Sequence, residues 1–288
     1  WHTIIQHNEQ ATGETYTVKQ QQAVSGGSIN SAYLISGENS RYFVKTNASG
    51  RQDMFAAEAQ GLQALAASHT LKVPVPVCYG DDGQKSYIVM EYLDMNGRAD
   101  QDRLGRQLAA MHQVCQDQFG WHSDNTIGST PQLNSLSTDW LYFWREQRLG
   151  YQLTLAAKNG YHGELQTLGE KLLQEMPKIF AGRRIKPSML HGDLWGGNVG
   201  GMADGTPVIF DPAFYFGDRE ADIAMTYVFG GFSTDFYAGY RDVLPLEDGF
   251  PLRKTFYNIY HILNHLNMFG GGYHGQSLHM MEQVLAEL

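Results

Sequence analysis

The spacing of apolar positions changes period twice along this chain. Between residues 16 and 45 they alternate in short runs: Tyr16-Thr17-Val18, Tyr33-Leu34-Ile35 and Arg41-Tyr42-Phe43-Val44-Lys45. The runs are separated by a glycine-centred turn at Ser25-Gly26-Gly27-Ser28 and by Gly37-Glu38-Asn39. Strand, turn, strand, turn, strand predicts an antiparallel meander. From 53 to 68 the period becomes helical, with Phe55, Leu62 and Leu65 on one stripe. Glu58 falls on that same stripe, and a carboxylate on an apolar face is costly unless paired. Val73-Pro74-Val75-Pro76-Val77 reads as a proline-stiffened extended connector, and Ser86 to Leu93 as another short apolar strand.

Beyond Leu93 the pattern is mostly helical, with helices expected near 101–116, 138–158, 163–176, 219–229 and 254–269 and over the last dozen residues. Residues 188–216 interrupt it: the β-like pieces Met189-Leu190 and Val208-Ile209-Phe210 lie among glycine-rich turns. The expected class is therefore α+β. A small antiparallel-sheet lobe with one helix spans 1–93, and a larger, mostly helical lobe spans 94–288. The boundary is expected near Asp94-Met95-Asn96-Gly97.

Composition narrows the function classes. Of 288 residues 42% are hydrophobic and 12% aromatic, which fits a globular chain. The formal charge of −9 argues against broad nucleic-acid or anionic-membrane binding, which needs a basic face. No apolar run approaches the ~18 residues of a membrane span. Cys78 and Cys115 stand far apart without CxxC context, which excludes a disulfide scaffold and a thiolate zinc site and suits reduced thiols in a cytoplasmic protein. Glycine supplies 32 residues without a G-X-Y repeat, so the glycines must serve local backbone needs.

The chemistry concentrates in His191-Gly192-Asp193-Leu194-Trp195-Gly196-Gly197-Asn198. Asp193 and Asn198 have the spacing of the kinase catalytic loop, H-x-D-x-x-x-x-N. A carboxylate there can accept the proton of an attacking hydroxyl, and an amide oxygen can reach a magnesium ion held by nucleotide phosphates. Thirteen residues later Val208-Ile209-Phe210-Asp211-Pro212 ends a β-like piece in a second oxygen ligand, Asp211, and oxygen donors are what Mg²⁺ prefers. Lys45, closing Phe43-Val44-Lys45, stands where a strand lysine reaches ATP phosphates, and Glu58 becomes its ion-pair partner. Gly26, Gly27 and Ser28 can cradle phosphate oxygens with backbone N–H groups. Met90-Glu91-Tyr92-Leu93 stands at the position of a hinge that offers backbone groups to adenine, which makes Met90, Glu91 and Leu93 nucleotide-binding candidates. His112 reads as a packed or capping residue. His261 and His265 lie four apart on a helix but lack the glutamate of a metal motif. Trp140, Tyr142, Phe143 and Trp144 read as core, with a sugar-lining role open for some of them.

Taken together these residues resemble the fructosamine kinase, or ketosamine-3-kinase, family within the aminoglycoside-phosphotransferase-like branch of the protein-kinase fold. The branch signature is His191-Gly192-Asp193, and the family mark is Trp195 inside it. Similar stretches are Arg145 to Leu153, Phe210 to Ala213, Gly217 to Met225 and Leu263 to Gly270. The resemblance implies ATP- and Mg²⁺-dependent phosphorylation of the 3-hydroxyl of a ketosamine, either a small molecule or a glycated protein lysine, followed by breakdown of the adduct. It assigns Asp193 as base, Asn198 and Asp211 to magnesium, Lys45 with Glu58 to phosphate ordering, and Trp195 to packing on the sugar. Asp218 and Asp222 are expected to brace the loop after Asp211. A regulatory cysteine found in the glycine-rich loop of some members has no counterpart beside Ser28. The competing readings are an aminoglycoside, choline or homoserine-type kinase of the same branch and an inactive nucleotide-binding module.

Overall fold

The structure, a computed structural model, describes residues 1–24 and 29–288. Of the expected phosphate-loop residues, Gly26, Gly27 and Ser28 lie outside the described residues. The chain divides into two compact units, residues 1–100 with 199–212, and residues 101–198 with 213–288. A single cut near Asp94 does not reproduce this division, because the hairpin of Val199–Gly201 and Pro207–Ile209 returns to the first unit. It bridges there to Lys72 through Val208 and to Gly97 through Gly201.

The first unit opens with helix α1, His2–Thr12. The sheet follows: β1 Gln20–Val24, β2 Ser31–Ser36, β3 Arg41–Ala48, β4 Pro76–Asp81 and β5 Lys85–Glu91, with helix α2, Gln52–Ala67, between β3 and β4. The strand order is β1-β2-β3-β5-β4, antiparallel throughout. Alternation along β3 sends Val44 to one face, where it packs with Ile4, Ile35, Tyr87 and Val89. Lys45 goes to the opposite face and stands directly across from Ile88.

Three features of this unit depart from the pattern-based reading. Helix α1 was not expected, because it buries only Ile4 and Asn8, too thin a stripe to read as amphipathic. Tyr16-Thr17-Val18 precedes the first strand, and Tyr16 is instead buried, with its hydroxyl donating to the carbonyl of Ile35 at 3.1 Å. The proline-stiffened connector continues into β4. Prolines are tolerated there because β4 is an edge strand with a register irregularity between Pro76 and Cys78.

The second unit is a helical assembly: α3 Gln101–His112, α4 Trp140–Trp144, α5 Gly150–Lys158, α6 Glu164–Ile179, α7 Arg219–Met225, α8 Thr234–Val243, α9 Phe250–Phe269 and α10 Tyr273–Ala286. Its core gathers Trp140, Phe143, Trp144, Leu172, Phe256 and Tyr257, among others, while Tyr142 is exposed. Helices α4 and α5 are joined by a π-helical turn, Arg145–Leu149. That wider turn carries the fully buried Arg148, which donates to the Leu133 and Gln147 carbonyls and to Asn134 Oδ1. Its guanidinium lies 4.0 Å from the Tyr215 ring centroid. Two short antiparallel pairs complete the unit, Asn125–Ile127 with Thr130–Gln132, and Ser188–Leu190 with Tyr215–Gly217. Among the described residues, no helix is long and apolar enough to cross a membrane.

Helix α9 also holds a pH-sensitive contribution to stability. His261 is buried there, and its Nδ1 has no hydrogen-bond partner. Burial, helped by the neighbouring His265, pushes its pKa from 6.5 down to about 3. The unfolded chain takes up this proton below pH 6.5 while the folded chain does not. His261 therefore costs no stability above pH 6.5 and progressively more as pH falls toward 3. Between pH 6.5 and about 5, the wild type is expected to lose about 2 kcal/mol more stability than His261→Leu. Urea unfolding at both pH values checks this, and identical losses in the two proteins would contradict it.

Candidate functional site

In the first unit the sheet and α2 bring three charged side chains together. Lys45 projects from β3 onto the α2 face, where its Nζ lies 2.6 Å from Glu58 Oε1. The expected pairing of Lys45 with Glu58 is thus present in the structure. The same ammonium also contacts Asp211, directly after the strand Pro207–Ile209 and Phe210. Burial works against the charge on Lys45, but the two carboxylates outweigh it and hold its pKa above the ordinary lysine value. Burial also pushes the Glu58 carboxyl up, and Lys45 opposes that shift. Asp211 has φ +55°, a left-handed conformation uncommon for a residue with a side chain. Lys45 therefore bridges the stripe carboxylate and the carboxylate expected to hold metal.

Of the hinge candidates, Met90 is buried and Glu91 half-buried at the end of β5, and Leu93 is buried just beyond. The Glu91 backbone N–H donates to the Val75 carbonyl at 2.8 Å.

In the second unit the strand Ser188–Leu190 leads into His191-Gly192-Asp193. The loop is held from beneath by Asp222, on α7. One carboxylate oxygen accepts the His191 N–H and the other the Gly192 N–H, each at 2.8 Å. His112 Nε2 lies 3.0 Å from Asp222, and His112 Nδ1 lies 2.7 Å from the Tyr240 hydroxyl. Burial opposes ionisation of Asp222, yet the bonds from His112 and the loop amides hold its carboxyl below the usual range. With Asp222 ionised, His112 Nε2 donates to it.

This corrects the expected role of Asp222, which braces the HGD segment itself. Asp218 does different work. It caps α7 by accepting the Glu220 N–H, pairs with Arg183, and accepts the Tyr257 hydroxyl at 2.5 Å. His112, read as a packed residue, proves to be part of this buried network.

Within the loop, the Asn198 amide nitrogen donates to the Asp193 carbonyl at 2.9 Å and approaches its Oδ2 at 3.4 Å. A 3₁₀ turn at Gly196–Asn198 sets this geometry. Trp195 stands exposed on the turn, and its N–H donates to the Asp193 carbonyl at 3.1 Å. Gly192 has φ +86°, and a Cβ there would meet the Ala213 carbonyl at 1.8 Å, so only glycine fits. Ala213 is fixed from both sides: its N–H donates to the His191 carbonyl at 2.9 Å, and its carbonyl accepts from Gln132 Nε2 at 3.0 Å. Asn125 Nδ2 donates to the next carbonyl, Phe214, at 2.7 Å. Gln132 and Asn125 escaped the sequence reading because a three-residue strand leaves no periodic signal.

A buried lysine–glutamate pair on a five-stranded sheet and an HGD loop in a helical unit belong to a kinase-like fold, and the chain's family and relatives make it a phosphotransferase of that fold. It belongs to the fructosamine kinase family, whose family model matches residues 1–287. A Synechocystis protein named "Probable ketoamine kinase" is 45% identical over 99% of this chain and 97% of its own length. The chloroplastic protein-ribulosamine 3-kinase of Arabidopsis thaliana is 42% identical over 92% of this chain and 82% of its own. A crystal structure from Haemophilus somnus 129PT, of a protein whose name places it with the fructosamine-3-kinases, superposes with a TM-score of 0.89. It is 30% identical, with 98% of this chain and 96% of that one covered. The choline kinase LicA of Streptococcus pneumoniae shares the fold at a TM-score of 0.66 and 15% identity, with 100% and 99% of the two chains covered.

Removing the Asp222 carboxylate leaves two buried amides and His112 without their acceptor. Asp222→Ala is expected to cost about 3–5 kcal/mol, and Asp222→Asn, which keeps one acceptor oxygen, less than that. Urea denaturation of the three proteins checks this order, and an alanine variant as stable as the wild type would contradict it.

Proposed function

We propose that this chain transfers the γ-phosphoryl group of ATP to the 3-hydroxyl of a ketosamine, the adduct of a sugar and an amine, of the fructosamine or ribulosamine type. The observation that carries this reading is the HGD loop itself. Asp193 is tied to Asn198, Asp222 holds the backbone before it, and Trp195 stands exposed two residues along.

In the proposed step the sugar O3 attacks the γ-phosphorus, the O3–P bond forms, and the bond to the β-γ bridging oxygen breaks to release ADP. The proton of O3 passes to the Asp193 carboxylate. Trp195 offers its ring face to the sugar. Lys45, ordered by Glu58, meets the phosphate charge. Met90, Glu91 and Leu93 form the adenine-side segment, and Gly26, Gly27 and Ser28 the phosphate loop.

Asn198 and Asp211 are the residues that would hold Mg²⁺. They would offer an amide and a carboxylate oxygen, the donor type that Mg²⁺ prefers, and the Asn198 nitrogen is already spent on Asp193. The ion would supply charge neutralisation at the phosphates. Most of the rate gain is then positioning and electrostatics. A 3-O-phosphate is a far better leaving group than hydroxide: loss of a proton from C1 and of inorganic phosphate from C3 leaves the nitrogen in an imine. Water hydrolyses that imine to the free amine and a 3-deoxy dicarbonyl sugar, which for a glycated lysine is repair of the protein.

Asp193→Ala is expected to lower kcat by about 10²–10⁴-fold, the usual worth of a positioned base, with its unfolding midpoint and MgATP affinity kept. ADP release measured with ribulosyl-lysine, fructosyl-lysine and an aminoglycoside as acceptors checks both base and substrate. Near-normal turnover in the variant would overturn the role of Asp193. Turnover of the aminoglycoside alone would overturn the ketosamine reading.

A further inference from the structure

The second unit leaves a row of aromatic rings exposed beside the HGD loop. Trp195 is 36% exposed, Phe229 45% and Phe269 55%. The rings touch in sequence: Trp195 meets Phe229 edge-on at 5.6 Å, Phe229 meets His265 at 5.2 Å, and His265 meets Phe269 at 5.8 Å and Tyr273 at 5.2 Å. They come from four places in the chain, namely the loop itself, the segment after α7, the end of α9 and the start of α10. The row is held in place at its centre. His265 Nδ1 lies 2.7 Å from the His261 carbonyl. The segment carrying Phe229 presses on the loop so closely that a Cβ on Gly231 would lie 3.1 Å from Gly196 Cα. None of this contact buries the outer faces of Phe229 and Phe269. Contiguous exposed aromatic surface of this kind marks a place where another molecule binds.

The start of the row says which part of which molecule. Trp195 stands two residues beyond Asp193 on the same turn, with its ring over Gly197, so the portion of an acceptor that carries the reacting hydroxyl lies beside this turn. On the proposed function, on which this inference rests, that portion is the sugar. One indole face accounts for one sugar, and the steps to Phe229 and on to Phe269 carry the row well past it. The remaining portion of a ketosamine is the amine and its substituent. Flat apolar faces suit an alkyl stem and the cationic nitrogen at its root, and they offer nothing to a phosphate.

We propose that Phe229 and Phe269 are specificity-determining residues that bind the amine side of the acceptor, the four-carbon stem of a glycated lysine. They thereby favour lysine-borne adducts over those of short amines.

The test compares kcat/KM of the full chain on two acceptors with the same sugar, ribulosyl-methylamine and the ribulosyl adduct of Nα-acetyl-lysine methylamide. The wild type is expected to prefer the lysine adduct by about tenfold or more, the worth of roughly two buried methylenes. Phe269→Ala is expected to lower kcat/KM on the lysine adduct severalfold, through KM, and to leave the methylamine adduct within about twofold of wild type. Phe229→Ala, whose ring also backs Trp195, is expected to lose severalfold more on the lysine adduct than on the methylamine adduct. A wild type that turns over both acceptors equally, or variants that lose equally on both, would overturn the inference while leaving the ketosamine reading intact. A wild type that phosphorylates neither would overturn the ketosamine reading, and this inference with it.

Discussion

An ionised group buried without partners costs several kcal/mol, and this chain buries such groups in both of its units. In the first, Lys45 lies inside the sheet–helix layer with Glu58 and Asp211. In the second, Asp222 is fully enclosed and accepts two loop amides and a histidine, while Glu220 takes two bonds from Arg253 at 2.6 and 3.0 Å. Arg148 is met by carbonyls and ring faces. Each of these charges is tolerable only with its partners in place, so each fixes backbone as well as neutralising charge. The residues expected to do chemistry stand on the backbone that these clusters hold.

Because the clusters are local, the two units solve the same problem by different means. The sheet places Lys45 by strand alternation, and α2 supplies Glu58 one stripe away. The helical unit has only short two-stranded pairs among its described residues. It fixes the HGD segment by a three-residue strand pair and a carboxylate from α7, and it clamps Ala213 between His191 and Gln132. The polar side chains Gln132, Asn125 and His112 are thus as much part of the site as the residues that would touch substrate.

What could be read from the sequence follows from range. Lys45, Glu58, Asp193, Asn198 and Asp211 sit in short motifs with fixed spacing, and the costly carboxylate on an apolar stripe pointed to its partner before any coordinates. The meander and most long helices were legible from period. Helix α1 was hidden by its narrow apolar stripe, β4 by its prolines, and α8 by a surrounding stretch too irregular to show that Phe236 and Tyr240 share a face. The partners of Asp222 were hidden for a different reason. It lies about thirty residues from the segment it holds, and spacing along the chain carries no information about which loop a buried carboxylate meets. The aromatic row was invisible for the same reason, since its rings come from four separate segments.

The central claim is that phosphate goes from ATP to one hydroxyl of a sugar–amine adduct. Its most direct test is NMR of the product formed from MgATP and ribulosyl-lysine before the adduct decays. The account requires one equivalent of ADP per phosphate ester, with phosphorus coupled to the proton on sugar carbon 3. Inorganic phosphate as the only product, or an ester at another carbon, would contradict it.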